Sequence, residues 1–331
     1  MRKTYQTIKK LFFLSLLSLF FTSCGNQFDI DTSGIEHAKV EIIQYEKALF
    51  DQTINNNRIV ELQKEFPLFL GDIPLDSSQL AQLQSFVSDS LLRTLYKKSI
   101  EVFPNFNEEE KQLSEAFTHI KYYYPAFQYP KIYTYLSGVQ DIVFYQDPII
   151  MVSIDHYLGN GYEIYQMLGT PRYQQFAMQK KFLVKDILLN IAKAYTPPIA
   201  GDAKMIEQMI YEGKLLYFIK SMYPEITDEI LFTQTPSHLN WFQKKETELW
   251  RYYIENELLY KADYLAYNKF INDAPFTAVL GDDSAPRTGI WLGYQIVYSY
   301  MKHNGKTLAE MLQNQNAQMI LQQSKYRPGK N

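Results

Sequence analysis

The chain has 331 residues, a formal net charge of −3 at pH 7 and a single cysteine. This mildly acidic balance argues against nucleic acid as a partner, and one cysteine excludes an intramolecular disulfide. The 27 tyrosines and 21 phenylalanines, against only 14 glycines, favour helices with half-buried aromatic faces over a turn-rich β-sandwich or propeller.

The first 24 residues run in the order basic, apolar, small, cysteine. Basic residues within positions 2–10 precede an apolar run at 11–21, and two small residues stand directly before Cys24. The run has the length of a signal-peptide core and is shorter than the roughly 20 residues of a spanning helix. This lipobox order predicts that residues 1–23 are a signal peptide and that Cys24 is lipidated, for example with palmitate. A buried core cysteine is the weaker alternative.

The predicted leader carries four of the 33 basic residues and no acidic ones, so the mature chain has a formal charge of −7. We expect a lipid-attached tether at 24–38, a single domain at 39–320 and a polar tail at 321–331. No later stretch reaches transmembrane length, so the protein is predicted to be anchored to a membrane rather than to span it.

The first half of the domain predicts one strand and two helices. Residues 40–45 alternate in polarity, which indicates a strand. Apolar residues recur at steps of three and four over 77–103 and predict a helix. Asn107 followed by three glutamates is a helix start, and that helix is expected to stop near Pro125.

The chain then changes to short β-rich runs and returns to helices. Three runs at 131–136, 141–145 and 149–154 predict a small antiparallel sheet. Helices are predicted at 171–194, 202–222, 237–261, 286–303 and 308–313, and no internal repeat is visible. The fold class is therefore α+β and mostly helical, with the small sheet packed against a helical bundle.

The common catalytic motifs are absent from the sequence. No two of the five histidines lie within 30 residues of each other, so there is no His-Glu-x-x-His. A Gly-x-Ser-x-Gly elbow and a glycine-rich phosphate loop are missing too. We predict no catalytic residue, no metal site and no cofactor.

A candidate polar groove remains on two of the predicted helices. Asp186 and Asn190 lie four residues apart on one helix, and Glu212 falls among apolar residues on the next. A half-buried carboxylate costs several kcal/mol unless it finds donors. These three residues form either a working polar site or, as we favour, a structural network that fixes how the helices pack.

Two shorter segments allow the same two interpretations. Asp155 and His156 directly follow the third β-run and belong to the candidate groove. Neighbouring strand residues point to opposite faces, which favours a structural turn over a shared catalytic role. Gly289 and Gly293 lie four apart on one helix face, and small residues at this spacing favour close helix packing over ligand binding.

Several segments resemble a known family. The lipobox, Val40–Asp51, the Asp-x-Tyr-Leu-Gly within Ile154–Gly159, Pro171–Tyr173 and Met209–Lys214 are similar, in the same order, to the GldB-like gliding-motility lipoproteins of the Bacteroidetes. The resemblance covers most of the mature chain. It implies an envelope lipoprotein linked to gliding or to the secretion machinery that serves it, and it implies no established enzymatic activity.

A more distant resemblance concerns the fold. A small sheet followed by two helices, the second containing Glu-Gly, is similar to zinc-dependent proteases of the gluzincin type. In that placement residues 186–190 occupy the His-Glu-x-x-His position and Glu212 the third ligand position. The two histidines and the general-base glutamate are missing, so zinc chemistry is expected to be lost.

The leading hypothesis is a non-catalytic envelope lipoprotein. Its predicted partners are the membrane, reached through the N-terminal lipid, and other envelope proteins of the motility or secretion machinery. We expect it at the inner or outer membrane, on the periplasmic side. The alternative is a peptidase-like envelope hydrolase or a glycan-binding lipoprotein that uses Asp155, His156 and Glu212.

Overall fold

The computed structural model describes residues 27–51, 54–140 and 142–329. The chain divides into two compact units, Met1–Asp31 and Thr32–Asn331. The predicted signal peptide, Cys24 and the start of the predicted tether lie outside the described residues. In the first unit only residues 27–31 are described, and these contain no helix or strand.

The second unit begins with a short strand and a series of helices. Strand β1 is Ile42–Gln44, and the helices that follow are α1 Tyr45–Phe50, α2 Asn56–Glu65, α3 Pro67–Leu70, α4 Ser77–Ser88, α5 Ser90–Val102 and α6 Asn107–Tyr123. Three strands come next: β2 Lys131–Tyr135, β3 Val143–Gln146 and β4 Ile149–Ser153.

The remainder is helical. The helices are α7 Glu163–Met167, α8 Arg172–Gln175, α9 Leu183–Tyr195, α10 Met205–Met222, α11 Asp228–Phe232, α12 Pro236–Glu255, α13 Tyr264–Phe270, α14 Thr288–Asn304, α15 Leu308–Gln313 and α16 Ala317–Ser324. Short 3₁₀ helices occupy Ile154–Tyr157, Lys180–Phe182, Leu258–Tyr260 and Ala278–Leu280. The predicted class, α+β with a helical majority, is confirmed.

The sheet is mixed, which corrects the antiparallel prediction. Its strand order is β1-β2-β4-β3; β1 and β4 both run parallel to β2, and only β3 and β4 form an antiparallel pair. A parallel pair needs a long crossover, and helices α1–α6 supply it between β1 and β2. Ile132 and Thr134 of β2 and Ile150 and Val152 of β4 are fully buried, so the centre of the sheet is covered.

Helix α10 is the centre of the core. Most of its residues are buried, and it packs along α14 with the two backbones almost touching. A β-carbon on Gly213 would overlap the carbonyl group of Gly293, and one on Gly293 would overlap that of Met209. A β-carbon on Gly289 would likewise run into Ile271. The predicted packing role of Gly289 and Gly293 is therefore confirmed.

Two predicted helices are interrupted. The helix expected over 77–103 breaks at Asp89, whose carboxylate accepts the backbone N–H of Leu92 and so starts a new helix. The helix expected over 171–194 is divided into α8, a 3₁₀ turn and α9. At Asp89 a side-chain cap competes locally with continuation of the helix, and the spacing of apolar residues does not indicate such a cap.

Both ends of the predicted domain are held by hydrogen bonds. Tyr129 donates its hydroxyl to the carbonyl oxygen of Glu36, and Ala38 donates its backbone N–H to Thr118, so the last part of the predicted tether is tied to the body. The predicted polar tail begins inside α16, which packs against α14, and Tyr326 donates its hydroxyl to Glu246. Among the described residues, no helix has both the length and the apolar character needed to cross a bilayer.

Candidate binding site

Asp155 is a buried anchor for the loop after β2. It lies in the 3₁₀ helix that follows β4, and its side chain has no exposure. The carboxylate accepts the backbone N–H groups of Ser137, Gly138 and Val139 at 3.2, 2.8 and 2.8 Å, and the hydroxyl of Ser153 at 2.6 Å. Successive N–H groups converge on the anion as in a backbone nest. Both oxygens are therefore engaged inside the protein.

Asp186 lies at the start of α9 and joins two elements. One of its oxygens accepts the hydroxyl of buried Tyr157 at 3.0 Å, and the other lies 3.1 Å from the Nζ atom of Lys185. Lys185 is 6% exposed, so this ion pair is largely shielded from water. Asn190 donates to the backbone carbonyl of Asp186 at 2.9 Å, a local bond within the helix.

His156 lies beside this pair. Its ring meets the ring of Tyr157 edge-on, with 5.3 Å between centroids. Burial lowers the pKa of His156, while the charges of Asp186 and Asp155 raise it. Its Nδ1 atom is buried and has no hydrogen-bond partner among the described residues. The imidazole is thus held neutral in a largely apolar setting.

Glu212 on α10 is partly buried and faces several cations. Burial raises the pKa of its carboxyl group, and the charges of Arg287, Lys193 and Lys185 lower it. Lys193 and Lys185 both lie on α9, and Lys185 also pairs with Asp186, so the two predicted helices interact electrostatically. The sequence pattern did not indicate the pair of Lys185 and Asp186, because adjacent residues of a helix do not normally face each other.

The structure thus brings part of the predicted groove together. The charge of Asp186 acts on His156, Asn190 bonds to the backbone of Asp186, and the charges of Lys193 and Lys185 on the same helix act on Glu212. Asp155 turns toward the loop at 137–139 instead, because the chain enters a 3₁₀ helix rather than continuing as a strand. Among the described residues, no three His, Cys, Asp or Glu side chains are grouped so as to hold a metal ion.

Arg287 also lines a cleft that the sequence did not reveal. We call it the arginine cleft; its volume is about 310 Å³. Its lining comes from the α8 region, the α11–α12 junction and the two ends of the loop between α13 and α14. Its lining side chains include Arg172, Tyr173, Phe176, Gln234, His238, Asp273, Pro275, Pro286 and Arg287.

A second cavity, of about 180 Å³, is lined in part by Lys214 and Tyr211. Burial lowers the pKa of Lys214 to about 8. Its Nζ atom donates to the carbonyl oxygens of Leu312 and Asn314 at the end of α15. A lysine that satisfies the last carbonyls of a helix is a capping group, so this cavity gives Lys214 a structural role.

These observations define a mostly helical α+β protein with a buried polar network beside an open, arginine-lined cleft. The sequence profile of the family described as gliding motility protein GldB matches residues 25–328. The chain belongs to this family. Searches among curated proteins and among solved structures find no match. The likeness to gluzincin-type proteases therefore stays a prediction.

Proposed function

We propose that the protein is a lipid-anchored component of the cell envelope that supports gliding motility, or the secretion machinery associated with it, by binding other envelope proteins. The observation that carries this proposal is the family match, which covers residues 25–328. It begins directly after Cys24, where the lipobox order puts the first residue of the mature chain. Lipid on Cys24 then holds the body at the inner or outer membrane, on its periplasmic side.

The hydrogen bonding of Asp155 and Asp186 argues against a catalytic role for these two carboxylates. An acid or base catalyst must reach a substrate proton with a free carboxylate or imidazole. Asp155 is fully buried and saturated with donors, and Asp186 is occupied by Tyr157 and Lys185. We assign these groups to the packing of α9 against the end of the sheet.

The test is complementation in the bacterium that carries the gene. Deletion of the gene is expected to abolish colony spreading, and the wild-type gene to restore it. His156→Ala, Glu212→Gln and the double variant are expected to restore spreading fully, because no catalytic step depends on these side chains. Glu255→Gln, at an exposed glutamate on α12, is the matched control.

The readouts are colony spreading, the movement of single cells and the amount of each variant in the membrane fraction. A variant that accumulates to the wild-type level but leaves cells non-spreading would contradict the binding role and support the hydrolase alternative. If deletion leaves colony spreading and single-cell movement unchanged, the link to motility is wrong.

A further inference from the structure

The arginine cleft carries positive charge in an acidic body. Its lining includes two guanidinium groups, Arg172 and Arg287, and one carboxylate, Asp273. Arg172 is exposed, whereas the Arg287 side chain is 18% exposed. The Nε atom of Arg287 lies 3.5 Å from an oxygen of Asp273, whose side chain is 59% exposed. Such a long, solvated pair is weak, and the Nη1 atom of Arg287 also donates to the carbonyl oxygen of Phe232 at 3.4 Å. Exposed Arg172 can therefore turn toward an anion, and Arg287 adds fixed positive charge to the same cleft.

His238 adds a hydrogen-bond acceptor to the same cleft. Gln234 donates its amide to the carbonyl oxygen of Pro286, which directs its own oxygen to the Nδ1 atom of His238 at 2.8 Å. Amide oxygen only accepts, so Nδ1 carries the proton and Nε2 is the acceptor. Burial lowers the pKa of His238, which keeps the ring neutral at neutral pH. The Nε2 atom can therefore accept a hydrogen bond from an N–H group of a ligand.

The third feature is an apolar wall. Tyr173, Phe176, Pro275 and Pro286 line the cleft together with the polar groups. Most ligand sites combine apolar walls with a few polar groups that fix orientation, and this cleft has that composition. The ligand should carry a carboxylate, an adjacent N–H donor and an apolar side chain.

We propose that the arginine cleft binds the carboxyl-terminal end of a peptide chain. The terminal carboxylate pairs with Arg172 and Arg287, the terminal N–H donates to the Nε2 atom of His238, and the last side chain packs on Tyr173 and Phe176. Arginine presents parallel N–H donors that match both oxygens of a carboxylate. A peptide carboxyl end would be the part of a partner protein that the body recognises, so this proposal rests on the binding role proposed above.

The test uses the lipidated full chain in detergent micelles. The probes are fluorescein-labelled Ala-Ala-X tripeptides in which X runs through the standard amino acids, each made with a free and with an amidated carboxyl end. Fluorescence anisotropy should show that peptides ending in a large apolar residue bind best. Amidation should weaken binding about tenfold or more, because it removes a charge-assisted hydrogen bond.

Arg172→Gln should weaken the binding of peptides with a free carboxyl end by a similar factor, and Arg172→Lys should weaken it less. Arg172 is exposed, so both variants should keep the wild-type thermal unfolding midpoint. Arg251→Gln, at an exposed arginine on α12 outside the cleft lining, is the matched control and should bind as the wild type does.

Three results would overturn the proposal: no binding of any tripeptide at millimolar concentration, equal binding of free and amidated peptides, or wild-type binding by Arg172→Gln. Displacement by glucuronate at lower concentrations than by the best peptide would assign the cleft to an acidic glycan instead. Failure of the peptide proposal leaves the colony-spreading result unchanged, so the two proposals are tested separately.

Discussion

The carboxyl group of Glu46 is 3% exposed and packs against the sheet, where the hydroxyl of Thr134 lies 2.8 Å from one of its oxygens. Burial raises the pKa of Glu46 to about 7. A raised pKa means that the folded protein binds this proton more tightly than the unfolded chain does. The associated stability is fully present below the unfolded value of 4.5 and is lost as the pH rises through about 7.

Replacement of Glu46 by glutamine should remove this pH dependence. The glutamine side chain keeps the shape and still accepts from Thr134, but it cannot ionise. We expect the variant to match the wild type near pH 4.5 and to exceed its free energy of unfolding by about 3 kcal/mol at pH 8. Urea unfolding at both pH values measures the difference. If the free energy of unfolding depends on pH equally in the two proteins, the raised pKa of Glu46 is wrong.

Residue roles were predictable only where they depend on local pattern. The sequence identified Asp186 and Glu212 as polar groups on otherwise apolar helices, and the structure finds both partly buried among cations. It could not show that Asp155 serves a backbone loop, because that role depends on the positions of the N–H groups at 137–139. Nor could it show which ring nitrogen of His238 carries the proton. That depends on Gln234, whose amide group is oriented by the distant carbonyl of Pro286.

At the scale of elements, the crossing of α10 and α14 depends on glycine. The backbones approach so closely at Gly213 and Gly293 that a single added carbon has no space. Both partners at the contact are backbone atoms inside long helices, so the clash cannot be relieved by a change of rotamer. Overpacking of this kind commonly costs about 1–3 kcal/mol and sometimes more.

Replacement of Gly293 by alanine should therefore destabilise the protein strongly. We expect a loss of at least about 2 kcal/mol, or little folded protein in the membrane fraction. Gly201→Ala is the control, because a β-carbon there meets no atom within 4 Å. Thermal unfolding of the two purified variants is the measurement. Equal midpoints would contradict the prediction, because they would mean that α10 and α14 accommodate the added carbon without loss of stability.

The helices were the most predictable elements. The sequence predicts α15 with its observed bounds, and α10 and α14 to within a few residues, because apolar residues repeat every three or four positions in them. The sheet was less predictable, since three strands close in sequence suggest hairpins. The pairing of β2 with β4, and of β1 with β2 across six helices, depends on contacts between distant segments.

At the scale of the whole molecule, the family resemblance visible in short motifs is confirmed by a match to residues 25–328. The arginine cleft could not be predicted in this way. Its lining comes from segments as far apart as Arg172, His238 and Arg287, and no spacing rule connects them. A cleft of this kind is a property of the assembled fold, so only the structure could place these side chains together.

We propose that lipid on Cys24 anchors this GldB-family body at an envelope membrane. Mass spectrometry of the protein purified from its own membranes tests it most directly. We predict that the mature chain begins at Cys24 and that its first peptide carries fatty acyl groups, whereas Cys24→Ser yields no acylated peptide. A mature chain that begins at another residue, or an unmodified Cys24, would contradict lipid anchoring through Cys24.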